Sequence, residues 1–330
     1  MRSQVKRDAK IYLAGHTGLV GGGILRALLA RRYENLVLRT RQELDLTDQA
    51  STRAFFAREK PEMVVVAAAR VGGIMANWEY PYEFVRENLA IELNVIHEAF
   101  RAGVRRLIFL GSSCIYPREA AQPLKEEYLL TGPLEETNRP YAIAKIAGIE
   151  LCRSLYREYG TSYLALMPTN LYGPGDNFDL ETSHLVPALI RKFHEARVAQ
   201  AAVGGTHRNA AAEAASVILW GTGAPRRELL HVDDLAAAVC MLMEGADWSS
   251  VPDGLINIGT GEDCTIAELA DTVRRVVGYV GAVTWDKSKP DGTPQKLLDV
   301  SRARALGWKP CISLEEGLRQ TYDWFVRNRS

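Results

Sequence analysis

The chain has 330 residues, with 40 Lys and Arg balanced by 40 Asp and Glu. That balance leaves no strong field for nucleic acid or an anionic membrane, although a local basic pocket can still hold a phosphate. A 47% hydrophobic, 24% charged composition is globular rather than disordered. A chain this long buries about 75% of its unfolded surface and needs no disulfide or metal staple. Its five cysteines include no Cys-x-x-Cys pair and its six histidines no His-Glu-x-x-His spacing, so a reduced compartment and no metal site are expected. No apolar run reaches the roughly 18 residues of a membrane span, and residues 1–10 are polar, so the expected address is the cytoplasm.

In chain order, Lys10–Ala14 reads as a strand, Gly18–Arg32 as a helix and Asn35–Arg39 as a second strand. Thr47–Lys60 is helical, Glu62–Ala69 a buried strand and Pro81–Ala102 a long helix. Arg106–Leu110 is strand four, Pro140–Tyr159 another long helix and Ser162–Met167 strand five. Continuous Val, Ile and Leu runs are what strands buried on both faces require. Their alternation with helices predicts an α/β fold, a Rossmann-like doubly wound parallel sheet. Further on, His184–Arg197 reads as helix and Val217–Trp220 as strand. Leu229–Val232 is strand-like, with a helix from Leu235. Leu255–Ile258 is a strand, and Thr265–Gly278 and Leu314–Arg327 are helices. Ala199–Ser216 is rich in Ala and Gly and is expected to form a mobile loop or a loosely held helix. The expected division is a cofactor domain of residues 1–170 plus about 228–262, and a smaller α/β substrate domain of 171–227 and 263–330.

After the first strand comes Gly15-His16-Thr17-Gly18-Leu19-Val20-Gly21. Glycines at this spacing permit a tight turn that brings backbone N–H groups and a helix N-terminus up to a dinucleotide pyrophosphate. A plain strand-to-helix turn is the alternative. At the end of strand two, Arg39 and Arg41 stand where an NAD enzyme carries an acid, and guanidinium groups suit a 2′-phosphate. NADP(H) is therefore the expected cofactor, against the alternative of two solvated arginines. Asp45-Leu46 either reaches the adenine or caps the following helix.

Tyr141 and Lys145 lie four residues apart on one helix face, and Leu110-Gly111-Ser112-Ser113-Cys114 follows strand four. A phenol of pKa near 10 becomes a useful acid or base only beside a cation. Serine, tyrosine and lysine at the ends of consecutive strands form a candidate catalytic set.

These residues, with the glycine turn, resemble the extended short-chain dehydrogenase/reductase superfamily. The strings Gly111–Pro117, Pro140–Lys145, Met167–Pro174, Ser183-His184 and Lys289–Pro294 are similar to those of the GDP-L-fucose synthase family. The resemblance runs from Ile11 to about Phe325. It implies conversion of GDP-4-keto-6-deoxy-D-mannose to GDP-L-fucose, by 3,5-epimerisation and NADPH-dependent 4-reduction. Tyr141 would be the acid at C4, Lys145 the group that lowers its pKa and binds the nicotinamide ribose, and Ser112 a donor to the ketone. Cys114 and His184 would invert C3 and C5, their alternative roles being a buried thiol and a helix-start histidine. Pro168, Thr169, Asn170, Leu171 and His184 would join the cofactor site. Lys192, Trp220, Arg227 and Asp291 would contact the substrate, with a solvated helix face, core packing and a Pro-Asp-Gly turn as alternatives for Lys192, Trp220 and Asp291. Asp233 of His231-Val-Asp-Asp either belongs to the family string or caps a helix. Thr17 stands where relatives often carry arginine, which leaves the 2′-phosphate to Arg41. A homodimer through the two long helices is implied by resemblance alone. Another GDP-keto sugar, as in GDP-colitose formation, a reductase-only enzyme and a non-catalytic nucleotide-sugar binder are the alternatives.

Overall fold

The computed structural model describes residues 5–203, 216–245, 248–289 and 291–328. Its first half is built from β1 (Ile11–Ala14), α1 (Leu19–Ala30), β2 (Leu36–Val37), α2 (Gln49–Glu59), β3 (Met63–Val66), α3 (Ile74–Glu79) and α4 (Pro81–Arg101). It continues through β4 (Arg106–Leu110), α5 (Arg139–Tyr159) and β5 (Ser162–Pro168). The strands assemble in the order β2-β1-β3-β4-β5, and a later strand, Leu255–Ile258, closes the far edge. All five pairings are parallel.

Alternation along the strands explains why helices cover both faces. Tyr12, Val64, Val66, Leu107 and Phe109 point into one core with Phe55, Phe56, Val95, Ile96 and Ile149. Ile11, Leu13, Met63, Val65 and Ile108 point into the other, with Ile24 and Leu28 of α1 and Leu235 and Val239 of helix Val232–Gly245. Gly23 lets these two helices touch, since a Cβ there would stand 2.8 Å from Val232 Cγ2. The second strand is shorter than its apolar run: the ladder with β1 ends at Val37, and the Arg39 side chain beyond it pairs with Glu59 at 3.1 Å.

The second half contains β6 (Asn170–Tyr172), α6 (Leu185–Val203), β7 (Val217–Trp220) and β8 (Arg226–His231). The next helix starts at Val232, three residues before the expected Leu235. Asp233 lies in its first turn and pairs with Arg26 at 2.6 Å. Thr265 and Glu268 form a reciprocal capping box that starts helix Ile266–Val277. This helix, α6 and helix Leu314–Asn328 enclose a third core of Ile190, Phe193, Val273, Leu318 and Phe325. Strand Gln295–Lys296 pairs with β8, placing Lys296 opposite Arg227, and strand Val283–Asp286 pairs with β7. Residues 204–215, most of the Ala- and Gly-rich stretch, lie outside the described residues; α6 extends to Val203, beyond the expected Arg197.

Candidate active site

The glycine turn follows β1, Arg41 follows β2, Ser112 and Cys114 follow β4 and Pro168 ends β5, all at the carboxyl ends of the parallel strands, where open α/β sheets bind ligands. At the glycine turn the three glycines have different reasons to be bare. Gly15 has φ +84°, and a Cβ on it would lie 2.7 Å from the Ala68 backbone; one on Gly21 would overlap the Gly15 carbonyl. A Cβ on Gly18 would meet only the Gly15 oxygen, at 3.7 Å, so nothing among the described residues keeps that space closed to a ligand. Gly18 is also the N-cap of α1, has no capping side chain and is followed by no acid in the first turn. An open approach in front of uncapped N–H donors fits a pyrophosphate. The His16 Nδ1 in this turn is buried without a hydrogen-bond partner among the described residues.

The two arginines after β2 part company. Arg39 is committed to Glu59 and to the Leu38 carbonyl. Arg41 is 71% exposed in its side chain and shares the buried Glu87 with Arg70 and Arg86. Three guanidinium groups on one carboxylate leave a local positive excess, which fits a 2′-phosphate. Asp45 accepts from Thr47 N and Oγ1 through one oxygen, and Leu46 is buried; the cap of α2 is Asp48, not Asp45. Thr169 and Asn170 both donate to the Glu228 carbonyl. Pro168 ends β5 and Leu171 lies in β6. A Cβ on Gly111 would overlap the thioether end of Met167, which would have to move aside.

Ser112 caps the short 3-10 turn Ser113–Ile115, its Oγ accepting from Cys114 N at 3.4 Å. That turn packs on α5, which begins at Arg139 and sets Tyr141 and Lys145 on one face. Lys145 is 2% exposed; its Nζ lies 5.7 Å from the Tyr141 ring centroid and donates to the Leu110 carbonyl at 3.1 Å. Burial, then the neighbouring Cys114 and Glu92, holds the Tyr141 phenol well above its ordinary pKa. In this state Tyr141 is a protonated donor.

Cys114 is buried and lines a small pocket with Ser113, Arg118, Glu135, Thr293 and Lys296. Burial pushes its thiol up, and the Lys296 ammonium and Ser112 hydroxyl pull it back. His184 precedes α6; its loop is pinned to the turn after β3 by Gly73 N donating to the Thr182 carbonyl at 3.2 Å. Desolvation lowers the His184 pKa. Both shifts favour the uncharged forms, a thiol at Cys114 and a neutral imidazole at His184.

In the second half the indole of Trp220 is 58% exposed, with the ammonium groups of Lys192 and Lys289 5.9 and 5.4 Å from its centroid. Core packing is thereby excluded for Trp220. Burial disfavours the charges of Lys192 and Arg227. Asp291 is engaged through both oxygens, accepting from Thr222 N and Oγ1 at 2.6 and 2.8 Å, so it shapes the loop beside Trp220.

Two residues went unnoticed in the sequence. Lys296 reaches Cys114 from a two-residue strand immediately beyond the Lys289–Pro294 string. Glu92, paired with Lys145, occupies a core stripe of α4 that also contains Asn88, Val95, Ile96 and Ala99. An acid in an apolar helical stripe is the signal that could have found it.

Comparison with known proteins agrees with this geometry. Residues 11–259 match the model of the NAD dependent epimerase/dehydratase family. GDP-L-fucose synthase of Escherichia coli K12 is 53% identical, covering 97% of each chain. GDP-L-fucose synthase 1 of Arabidopsis thaliana is 52% identical over 99% of this chain and 96% of its own. A solved GDP-mannoheptose C4 reductase from Campylobacter jejuni with NADP bound is 40% identical with TM-score 0.88, covering 97% of this chain and 99% of its own. The chain belongs to the NAD dependent epimerase/dehydratase family, within its GDP-L-fucose synthase branch.

Proposed function

We propose that this enzyme uses NADPH to convert GDP-4-keto-6-deoxy-D-mannose to GDP-L-fucose, inverting C3 and C5 and reducing C4. Cys114, buried beside Ser112 and facing the Lys296 ammonium, carries the reading, because a plain reductase has no use for a second acid–base group there. The uncapped start of α1, the open face of Gly18 and Arg41 would hold NADPH, which supplies hydride when bound.

The ketone acidifies the protons on C3 and C5, and Ser112 and Tyr141 stabilise charge on its oxygen. Cys114 and His184 exchange protons on opposite faces of the sugar, which inverts each carbon. Tyr141 then donates its proton to the C4 oxygen, and Lys145 stabilises the phenolate left behind. Arg227, Lys192 and Trp220 bind the nucleotide end, within the unit formed by 171–227 and 263–330, while residues 1–170 and about 228–262 hold the cofactor.

NADPH oxidation with the keto sugar in deuterated water tests the proposal. GDP-L-fucose carrying deuterium at C3 and C5 supports it, and an uninverted 4-hydroxy sugar reduces the enzyme to a C4 reductase. Cys114→Ser should abolish most inversion and leave reduction measurable; equal loss of both would sink this division of roles.

The expected setting is a cytoplasmic homodimer. Leu89, Leu93 and Ile143 are exposed on α4 and α5, a surface suited to a second copy. Light scattering at the monomer mass would refute the dimer, and exclusion from the soluble fraction of fractionated cells the compartment. Among the described residues no helix is long and apolar enough to cross a membrane.

A further inference from the structure

We infer that Glu92 is a positioning residue for the reductive step, holding the Lys145 ammonium in place beside Tyr141; this rests on the roles proposed above for those two residues. Glu92 comes from α4 and Lys145 from α5, and the two helices pack along their length. Oε1 lies 3.1 Å from Nζ, with the side chains 1% and 2% exposed. Among the described residues no other carboxylate lies within 4 Å of Nζ.

The contacts around Nζ give this pair a direction. The Leu110 carbonyl accepts a hydrogen bond from the ammonium. The Glu92 carboxylate lies beside it as an ionic contact whose oxygens have no hydrogen-bond partner among the described residues. Phe109 covers another side of Nζ at 4.8 Å from its ring centroid, and the Tyr141 ring lies 5.7 Å away. Space for the carboxylate is reserved by Gly148, where a Cβ would stand 2.8 Å from Oε2. Alanine would crowd the pair.

Stability does not explain such an arrangement, since buried ion pairs are often no better than apolar side chains of the same volume. Its value lies in keeping a cation in a buried place where a lone cation would be expelled or neutralised. The groups facing Glu92 are Lys145, Tyr141 and Cys152 on α5, with Cys114 beyond Lys145 on the turn after β4. Burial raises the Glu92 carboxyl to about 7 against the pull of Lys145. Glu92 therefore takes up a proton, and the pair a net positive charge, as pH falls through that value.

The test compares wild type, Glu92→Gln and Glu92→Asp in two assays: NADPH oxidation across pH, and deuterium exchange at C3 and C5 of the keto sugar. NADPH fluorescence titration checks that cofactor still binds. In Glu92→Gln, kcat for reduction should fall about tenfold or more, with KM for the sugar within about twofold. Its kcat–pH profile should lose the ionisation near 7, C3 and C5 exchange should persist, and Glu92→Asp should recover much of the rate. Wild-type kcat and an unchanged profile in Glu92→Gln would overturn the inference, as would equal loss of reduction and exchange. If Glu92→Gln does not fold, Glu92→Leu, an apolar side chain of similar volume, replaces it: a lower kcat with exchange intact supports the role, and wild-type kcat overturns it. Failure of the wild-type enzyme in both assays would instead refute the proposed function.

Discussion

The cofactor end and the Cys114 pocket are assembled in opposite ways. At the glycine turn, seven consecutive residues supply the bend, the open approach and the uncapped helix start, while Ala68 and the Arg41 cluster come from elsewhere. Around Cys114, the turn after β4 meets Glu135 from the segment before α5 and Lys296 from a strand that pairs with β8. A site made from one local segment tolerates change or fails according to backbone space. A site made from distant segments depends on the charges each one delivers.

That contrast can be broken most sharply within the glycine turn. Gly21→Ala should cost folding yield or abolish NADPH binding, because its Cβ overlaps backbone, which cannot yield as a flexible side chain can. Gly18→Ala should melt at the wild-type temperature yet bind NADPH about tenfold more weakly, because only the ligand needs that space. Thermal melts and fluorescence titration measure both. Wild-type affinity in Gly18→Ala would mean that the pyrophosphate does not approach there.

The next largest effect is expected from charge in the Cys114 pocket. Lys296→Met removes the main cation opposing the upward push of burial on the thiol. The ultraviolet absorbance of the thiolate should titrate at higher pH than in wild type, and C3/C5 exchange at neutral pH should slow about tenfold. NADPH affinity should be unchanged. A thiol that titrates as in wild type would show that Lys296 does not act on Cys114.

The smallest effect concerns stability. Asp176, in the loop leading to His184, is buried with Oδ2 unpartnered among the described residues, and burial raises its carboxyl to about 7. A raised acid binds its proton more tightly in the folded chain than in the unfolded one. Stability contributed below the ordinary carboxylate range is therefore lost as pH rises from about 4 through about 7. Asp176→Asn should remove that loss, so its melting temperature should gain on wild type across this window. A constant difference between the two ends of the window would show that Asp176 titrates normally.

Much of the main sheet was legible because its signals are local. The run Met63–Val66 is apolar at every position and buried at every position, so a short window of sequence suffices to place it. The Tyr141–Lys145 spacing, the glycine turn and Arg41 were also readable from short windows. The short strands of the second half were harder. Gln295–Lys296 has two polar residues and no periodicity, and its position comes from hydrogen bonding to β8. What the sequence did not show is that Asp291 also ties Thr222 into the loop beside Trp220 and that Asp45 also accepts from Thr47.

By itself, the sequence determined the alternating strands and helices, the glycine turn and the serine, tyrosine and lysine of the candidate site. Each is written in a spacing that backbone geometry converts directly into a shared face or a turn. The tertiary structure alone decided that Lys296 faces Cys114, that Glu92 holds Lys145 and that Arg39 is spent on Glu59 while Arg41 stays open. Charged side chains far apart in the chain carry no periodic record of their partners; only packing that removes water from between them selects which pairs form.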